Sequence, residues 1–232
     1  MDEQVSQVLA EHGHAFERYY ELLVEWNKRV NLTAIVGRED VYTKHFLDSL
    51  LVAGLTEWSQ LVGANGRVLD VGTGAGFPGL PLSICFPRMD FVLCDSLQKR
   101  LAFIETVVTE LGLENVTLVH GRAEDLGRNP AHRNRYDAVV SRAVARLNVL
   151  AELTLPLARV GGYVVAYKGP GVEEEVADGS RAAARLGGVV VRTEEFSLPD
   201  GRGQRTLVVL RQARATPKTY PRKAGTPQRQ PL

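Results

Sequence analysis

Hydrophobic positions along this chain follow two different periods. Between residues 3 and 30, Val5, Val8, Leu9, Phe16, Tyr19, Tyr20, Leu22, Leu23 and Trp26 recur at roughly helical spacing. A second helix is predicted over 38–53, with Val41, Phe46, Leu50 and Leu51 as its apolar positions. Nothing before residue 65 alternates as a strand does. Residues 1–64 are therefore expected to form a helical N-terminal cap.

From residue 66 short apolar runs alternate with helical stretches. Strands are predicted over 67–72, 89–95, 116–121, 136–143, 161–169, 189–198 and 203–212. Helices are predicted over 78–86, 96–112, 147–158 and 172–187. Pro199-Asp200-Gly201 marks a turn, so the last two strands should form an antiparallel hairpin. This alternation over 65–212 predicts an α/β fold with a doubly wound, seven-stranded, mostly parallel, Rossmann-like sheet. Ligands in such sheets bind at the carboxyl ends of the strands. Residues 70–77, 95, 121–125, 141–146 and 168–171 should crowd that edge. After residue 212 the pattern stops. Residues 213–232 hold four prolines and no acid, and they are expected to form an extended or flexible tail.

Composition narrows the class. Hydrophobic residues make up 44% and charged residues 24% of 232, as in a soluble globular protein. No apolar run reaches the ~18–20 residues of a membrane span. The polar, acidic start resembles neither a signal peptide nor a transit peptide, and Cys85 and Cys94 read as reduced core residues of a cytoplasmic protein. No Cys/His cluster points to a metal. The net charge of +1 is a sum of unlike parts. Residues 211–232 carry six basic groups and no acid, whereas the other 210 carry 22 basic and 27 acidic residues, a balance of −5. Together with Arg122, Arg128, Arg133, Arg135, Arg142 and Arg146, that basic end forms a candidate phosphate-contacting rim.

The strongest motif is Asp70-Val71-Gly72-Thr73-Gly74-Ala75-Gly76-Phe77-Pro78-Gly79, a strand-to-helix turn. An acid precedes a GxGxG run, and a second acid, Asp95, ends the next strand, where this fold receives the ribose hydroxyls of a nucleoside cofactor. NAD sites use GxGxxG against a pyrophosphate, and that register puts Phe77 where the third glycine belongs. The spacing favours S-adenosylmethionine (SAM), with an NAD-linked oxidoreductase as the rival. Arg142 and Lys168 lie at strand ends on the ligand edge. His45 and Asp48 are either a pair on the cap helix or part of a site where cap meets sheet.

The combination resembles one family, the bacterial small-subunit rRNA guanine-N7 methyltransferases, also called glucose-inhibited division protein B. The residues that carry the resemblance span nearly the whole chain. They are Trp26-Asn27-Lys28 with Asn31-Leu32-Thr33, His45-Phe46-Leu47-Asp48-Ser49, the glycine loop, and Asp95-Ser96-Leu97 with Lys99-Arg100. Gly121-Arg122-Ala123-Glu124, Ser141-Arg142-Ala143, Lys168-Gly169 and the YPRKAGTPQRQPL ending complete the set. The resemblance implies a class I SAM methyltransferase fold and transfer of a methyl group to N7 of a guanine in the 530 loop of 16S rRNA, guanine 527 in the usual numbering. It implies cofactor contacts at Gly72, Gly74, Phe77, Asp95, Ala123, Glu124 and Arg142, with Arg142 and Lys168 at the reacting side. RNA contacts are expected at Arg122, Lys168, Arg222 and Lys223. The implied partner is 16S rRNA or the small subunit, and the enzyme is expected to be a cytoplasmic monomer. A SAM enzyme acting on a small molecule and a noncatalytic RNA-binding protein stay open as alternatives.

Overall fold

The computed structural model describes residues 7, 9–55, 58 and 65–232. Val5 and Val8 of the expected first helix lie outside the described residues. Helix α1 (Gly13–Asn27) buries Phe16, Tyr19, Leu22 and Leu23, a stripe at spacings of three and four. Past its end the Asn27 side chain accepts hydrogen bonds from Leu32 N–H (2.8 Å) and Thr33 N–H (3.0 Å) and donates to Thr33 O (2.9 Å). One amide thus folds the connecting loop. The second helix is a continuous rod of changing pitch: α2 (Arg38–Val41), a π-helical stretch (Tyr42–Leu47), α3 (Asp48–Leu50) and a 3-10 turn (Leu51–Gly54).

Seven strands follow: β1 (Arg67–Val71), β2 (Asp90–Asp95), β3 (Val116–His120), β4 (Tyr136–Arg142), β5 (Ala158–Lys168), β6 (Gly188–Ser197) and β7 (Gln204–Gln212). Their order is β3-β2-β1-β4-β5-β7-β6, parallel except for β7, which runs antiparallel between β5 and β6. The order reverses between β1 and β4, so the crevice at the carboxyl ends opens there. The helices are α4 (Gly79–Cys85), α5 (Gln98–Leu111), α6 (Ala123–Leu126), α7 (Leu147–Thr154), α8 (Glu173–Leu186) and α9 (Thr226–Arg229).

Strand alternation divides the core in two. Val68, Phe91, Leu93, Val140 and Val165 face the cap, α4 and α5. Leu69, Val92, Val139, Val164 and Val208 face α7 and α8. The cap is fused to the first core: Tyr19 Oη donates to Ala75 O (2.5 Å) and Tyr167 Oη to Ser49 O (2.7 Å). Arg202, at the β6–β7 turn, pairs with Glu39 (2.7 Å) and Asp40 (2.5 Å) of the cap.

The segment expected to form an extended or flexible tail packs against the sheet domain. Residues 213–232 return along the second core, and Thr216, Pro221 and Pro227 are buried. Arg133 donates to Thr216 O (2.7 Å) and Tyr220 O (2.8 Å), and Arg128 to Pro221 O (2.9 Å). Arg222 closes a bidentate pair on the fully buried Glu152 of α7, with Nη2 2.6 Å from Oε2. The segment is held through its backbone carbonyls and one ion pair, with Tyr220, Pro221, Pro227 and Leu232 adding scattered apolar contacts that follow no regular period.

Candidate active site

The glycine loop is shaped as much by packing as by ligand access. Gly72 has φ +72°, and a Cβ there would lie 2.5 Å from Val144 Cγ2. Gly76 has φ +94°, and its Cβ would lie 2.6 Å from Tyr19 Oη, so this glycine makes room for the cap. Asp70 is completely buried, and its Oδ2 accepts from Gly79 N–H at 2.8 Å, bracing the loop against α4. Burial pushes its carboxyl up to about 6, with Thr73 and the Gly79 N–H pulling the other way. Asp95, at the end of β2, accepts from Gly74 N–H (2.9 Å) and Leu97 N–H (2.9 Å), with Arg100 at 3.3 Å. A carboxylate offers about four acceptor sites, so it retains capacity for a ligand hydroxyl.

Two cavities open at the carboxyl ends of the strands. The first, about 380 Å³, has an apolar side from Val71, Cys94, Ala123, Val149, Leu153 and Pro227 and polar groups from Asp95, Ser96, Arg100 and Glu124. Its size and mixed lining suit a nucleoside-sized ligand. A buried carboxylate at the end of β2 beside an apolar lining fits a ribose attached to a purine.

The second cavity, about 410 Å³, lies where cap meets sheet. It is lined by Ile35, Lys44, His45, Asp48, Arg142, Ala143, Tyr167, Lys168, Gly169 and Arg205. Four of these ten carry positive charge and one is acidic. Arg142 Nη1 donates to Asp48 Oδ2 at 2.8 Å, and Arg205 Nε lies 3.0 Å from Asp48 Oδ1. The Arg142 guanidinium sits 4.9 Å over the Phe77 ring, and His45 stacks on the same ring at 4.5 Å. Burial, aided by the Arg142 charge, lowers His45 to about 3, so its ring is neutral. Lys168 Nζ donates to Ala145 O and pairs with Glu175, both at 2.5 Å. Ala143 lines both cavities and takes φ +57°, a conformation rare outside glycine. The turn after β4 is the partition between them.

The structure gathers Gly72, Asp95, Ala123, Glu124 and Arg122 around the first cavity. Arg142 and Lys168 line the second. Gly74 lines neither and meets the first cavity only through its bond to Asp95. Phe77, expected at the cofactor, turns its ring to the cap between Tyr19 and His45. Arg222, expected at the RNA, has its guanidinium paired with the buried Glu152. Arg128 and Arg133 of the expected phosphate rim donate to the tail's carbonyls, Arg128 through its Nε alone. Lys223 and Arg122 are exposed. Sequence reasoning missed Lys44 and Arg205 and left His45 and Asp48 undecided. The π-helical stretch carries Lys44 and His45, α3 carries Asp48 and β7 carries Arg205 to the same cavity. Among the described residues no group of three or more His, Cys, Asp or Glu side chains is placed to hold a metal. No helix among them is long and apolar enough to cross a membrane.

The strand order, the lone antiparallel β7 and the crevice at β1/β4 define a class I methyltransferase fold. Solved structures of that fold agree. The chain is similar to M. jannaschii TYW2 in complex with AdoMet, with TM-score 0.56 and 13% identity over 77% of each chain. It is also similar to P. horikoshii TYW2 in complex with MeSAdo, with TM-score 0.57 and 14% identity over 72% of this chain and 62% of that one. The family itself is resolved by sequence. The chain belongs to the rRNA small subunit methyltransferase G family, whose pattern matches residues 12–208. A relative so named from Leuconostoc citreum is 51% identical over 94% of this chain and 90% of its own. Another from Brevibacillus brevis is 46% identical over 99% of this chain and 98% of its own.

Proposed function

We propose that this protein is a SAM-dependent methyltransferase acting on N7 of a guanine in 16S rRNA. The observation that carries the reading is the pair of adjoining cavities divided only by the Ala143 turn, one suited to a nucleoside cofactor and one ringed by cations. Bound in the first cavity, SAM supplies an electrophilic methyl group. Gly72 and the loop backbone hold its amino-acid side, Asp95 its ribose, and Ala123 and Glu124 flank its base.

Guanine N7 carries a lone pair and no proton, so its methylation needs no general base. The residues of the second cavity fit that requirement. His45 is neutral and engaged with Thr33 Oγ1 at 2.9 Å, and Lys168 is held by Glu175 and a backbone carbonyl. The task left to the chain is alignment and exclusion of water. Arg142, fixed by Asp48 and Phe77, positions the base through its exposed edge. Lys44, Lys168 and Arg205 attract the RNA backbone. An arginine on the guanine O6 edge would leave the N7 lone pair to the methyl only if it avoids the usual bidentate O6/N7 grip. The target base must leave its stack to enter this cavity. Exposed Arg122 and Lys223 extend the basic surface.

The reading implies a monomeric enzyme of the cytoplasm, where its substrate is made. It is tested by incubating the protein with labelled SAM and either 16S rRNA or small subunits, then mapping the labelled base. Label at guanine N7 is expected, and SAM binding without transfer to either RNA would contradict it.

A further inference from the structure

The segment after β7 takes no part in the chemistry above, yet it is fastened more firmly than a passive terminus needs. Glu152 is fully buried on α7, and its carboxylate is met by Arg222 alone: backbone N–H at 2.8 Å, Nε at 2.9 Å and Nη2 at 2.6 Å. A buried carboxylate without its partner is strongly unfavourable, so α7 is built for the tail to be present. Upstream, Gln212 Nε2 donates to Thr216 Oγ1 at 2.9 Å, and Arg133 holds the Thr216 and Tyr220 carbonyls.

These anchors deliver one turn to the first cavity. Gly225 reverses the chain at φ +79°, and its N–H donates to Glu124 Oε1 at 2.8 Å. Gly225, Pro227 and Gln228 then line the cavity together with Gly72 and Asp95. Glu124 belongs to α6, the short helix after β3, whose start lines the same cavity. One hydrogen bond therefore ties the tail to the part of the site that flanks the cofactor's base.

We propose that residues 213–232 are a strap that completes the cofactor cleft. The Gly225–Gln228 turn is the wall for the purine end of the ligand, with the Pro227 ring toward its face and the Gln228 amide toward its polar edge. Seating of the strap and occupancy of the cleft are then linked, and the linkage runs both ways. This inference rests on the cofactor reading given above.

The test uses the full chain. Trypsin cleavage after exposed Lys223 is timed with and without S-adenosylhomocysteine, and SAM affinity is measured by calorimetry for wild type, Gly225→Val and Gln228→Ala. A Cβ at position 225 would meet nothing within 4 Å, so the strain of a substitution there comes from the positive-φ turn. Cofactor product should slow cleavage about fivefold or more, and Gly225→Val should weaken SAM by a similar factor or more, with a smaller loss for Gln228→Ala. Wild-type SAM binding with unchanged cleavage and unchanged affinity in both variants overturns the strap alone. Absence of SAM binding in the wild type overturns the strap and the cofactor reading together.

Discussion

Arg142 Nη1 lies 2.8 Å from Asp48 Oδ2, joining the end of β4 to the cap across 94 positions of sequence. The arginine side chain is 14% exposed and the aspartate 2%, so the pair is sheltered from water. The same guanidinium reaches the carbonyls of Lys44 (3.3 Å) and His45 (3.4 Å) and covers Phe77. One side chain therefore fastens the cap, sets the floor of the basic cavity and borders the turn that divides the two clefts.

Because of that double duty, Arg142→Ala should lower both methyl transfer and stability. Removing one partner of a buried pair costs about 3–5 kcal/mol, and Arg205 beside Asp48 moderates the loss here. Arg142→Lys keeps the charge but loses the planar fork and ring stacking, so it should recover part of the stability and little of the transfer. Thermal melts and single-turnover assays on both variants check this. Arg142→Ala with wild-type melting and wild-type transfer would remove Arg142 from the site.

Asp95 bonds to Gly74 and Leu97 and also lines the first cavity. Asp95→Ala should weaken SAM about tenfold or more, equivalent to ~1.4 kcal/mol or more. Asp95→Asn should lie between. Calorimetry with SAM and NAD in parallel reads both the loss and the cofactor preference. Unchanged SAM affinity in Asp95→Ala would dismiss the ribose assignment.

The Asp70 carboxyl, raised to about 6 by burial, gives a pH signature. Its folded pKa exceeds its ordinary value, so its stabilising contribution is complete below ~3.8 and disappears as pH rises through ~6. Asp70→Asn removes the titration while leaving an amide oxygen for the Gly79 N–H. The variant's stability relative to wild type should rise between pH 4 and pH 7, by at most about 3 kcal/mol. Melts across that range check it, and a pH-independent difference would refute the assignment.

His45, lowered to about 3 by burial and then by the Arg142 charge, should be uncharged at pH 5. In an unfolded chain it takes up a proton below ~6.5. Its contribution to stability is therefore present above that value and falls as pH drops toward 3. Ring-nitrogen NMR shifts report the state directly. An imidazolium at pH 5 would mean that the His45–Phe77–Arg142 stack does not hold in solution.

The alternating texture after residue 66 contained the sheet, because period-two and period-3.6 patterns are local properties. Gly72 and Asp95 stood out for the same reason, since each sits where a strand ends, whereas Glu124 was singled out through the family resemblance. The tail was not legible. Its anchors are Arg133, 83 positions before Thr216, and Glu152, 70 before Arg222, and no local pattern reports such partners. Its prolines and basic residues read as a solvated segment, yet its carbonyls are what the fold grips. Lys44 and Arg205 were hidden in another way. Each looks like an ordinary exposed cation until the β5–β7 register and the π-helical stretch place them on one cavity. For Phe77 the sequence did not show that its ring would pack between Tyr19 and His45 of the cap.

In the proposed function, methyl transfer takes place across the Ala143 turn to a guanine of small-subunit rRNA. The most direct measurement is transfer of labelled methyl from SAM to 16S rRNA and to small subunits, with the modified atom identified by chemical cleavage at 7-methylguanine and by mass spectrometry. One 7-methylguanine per rRNA molecule, absent when SAM is withheld and reduced in Arg142→Ala, is the predicted result. Methyl transfer to a different atom, or no transfer to either RNA by a protein that binds SAM, would contradict it.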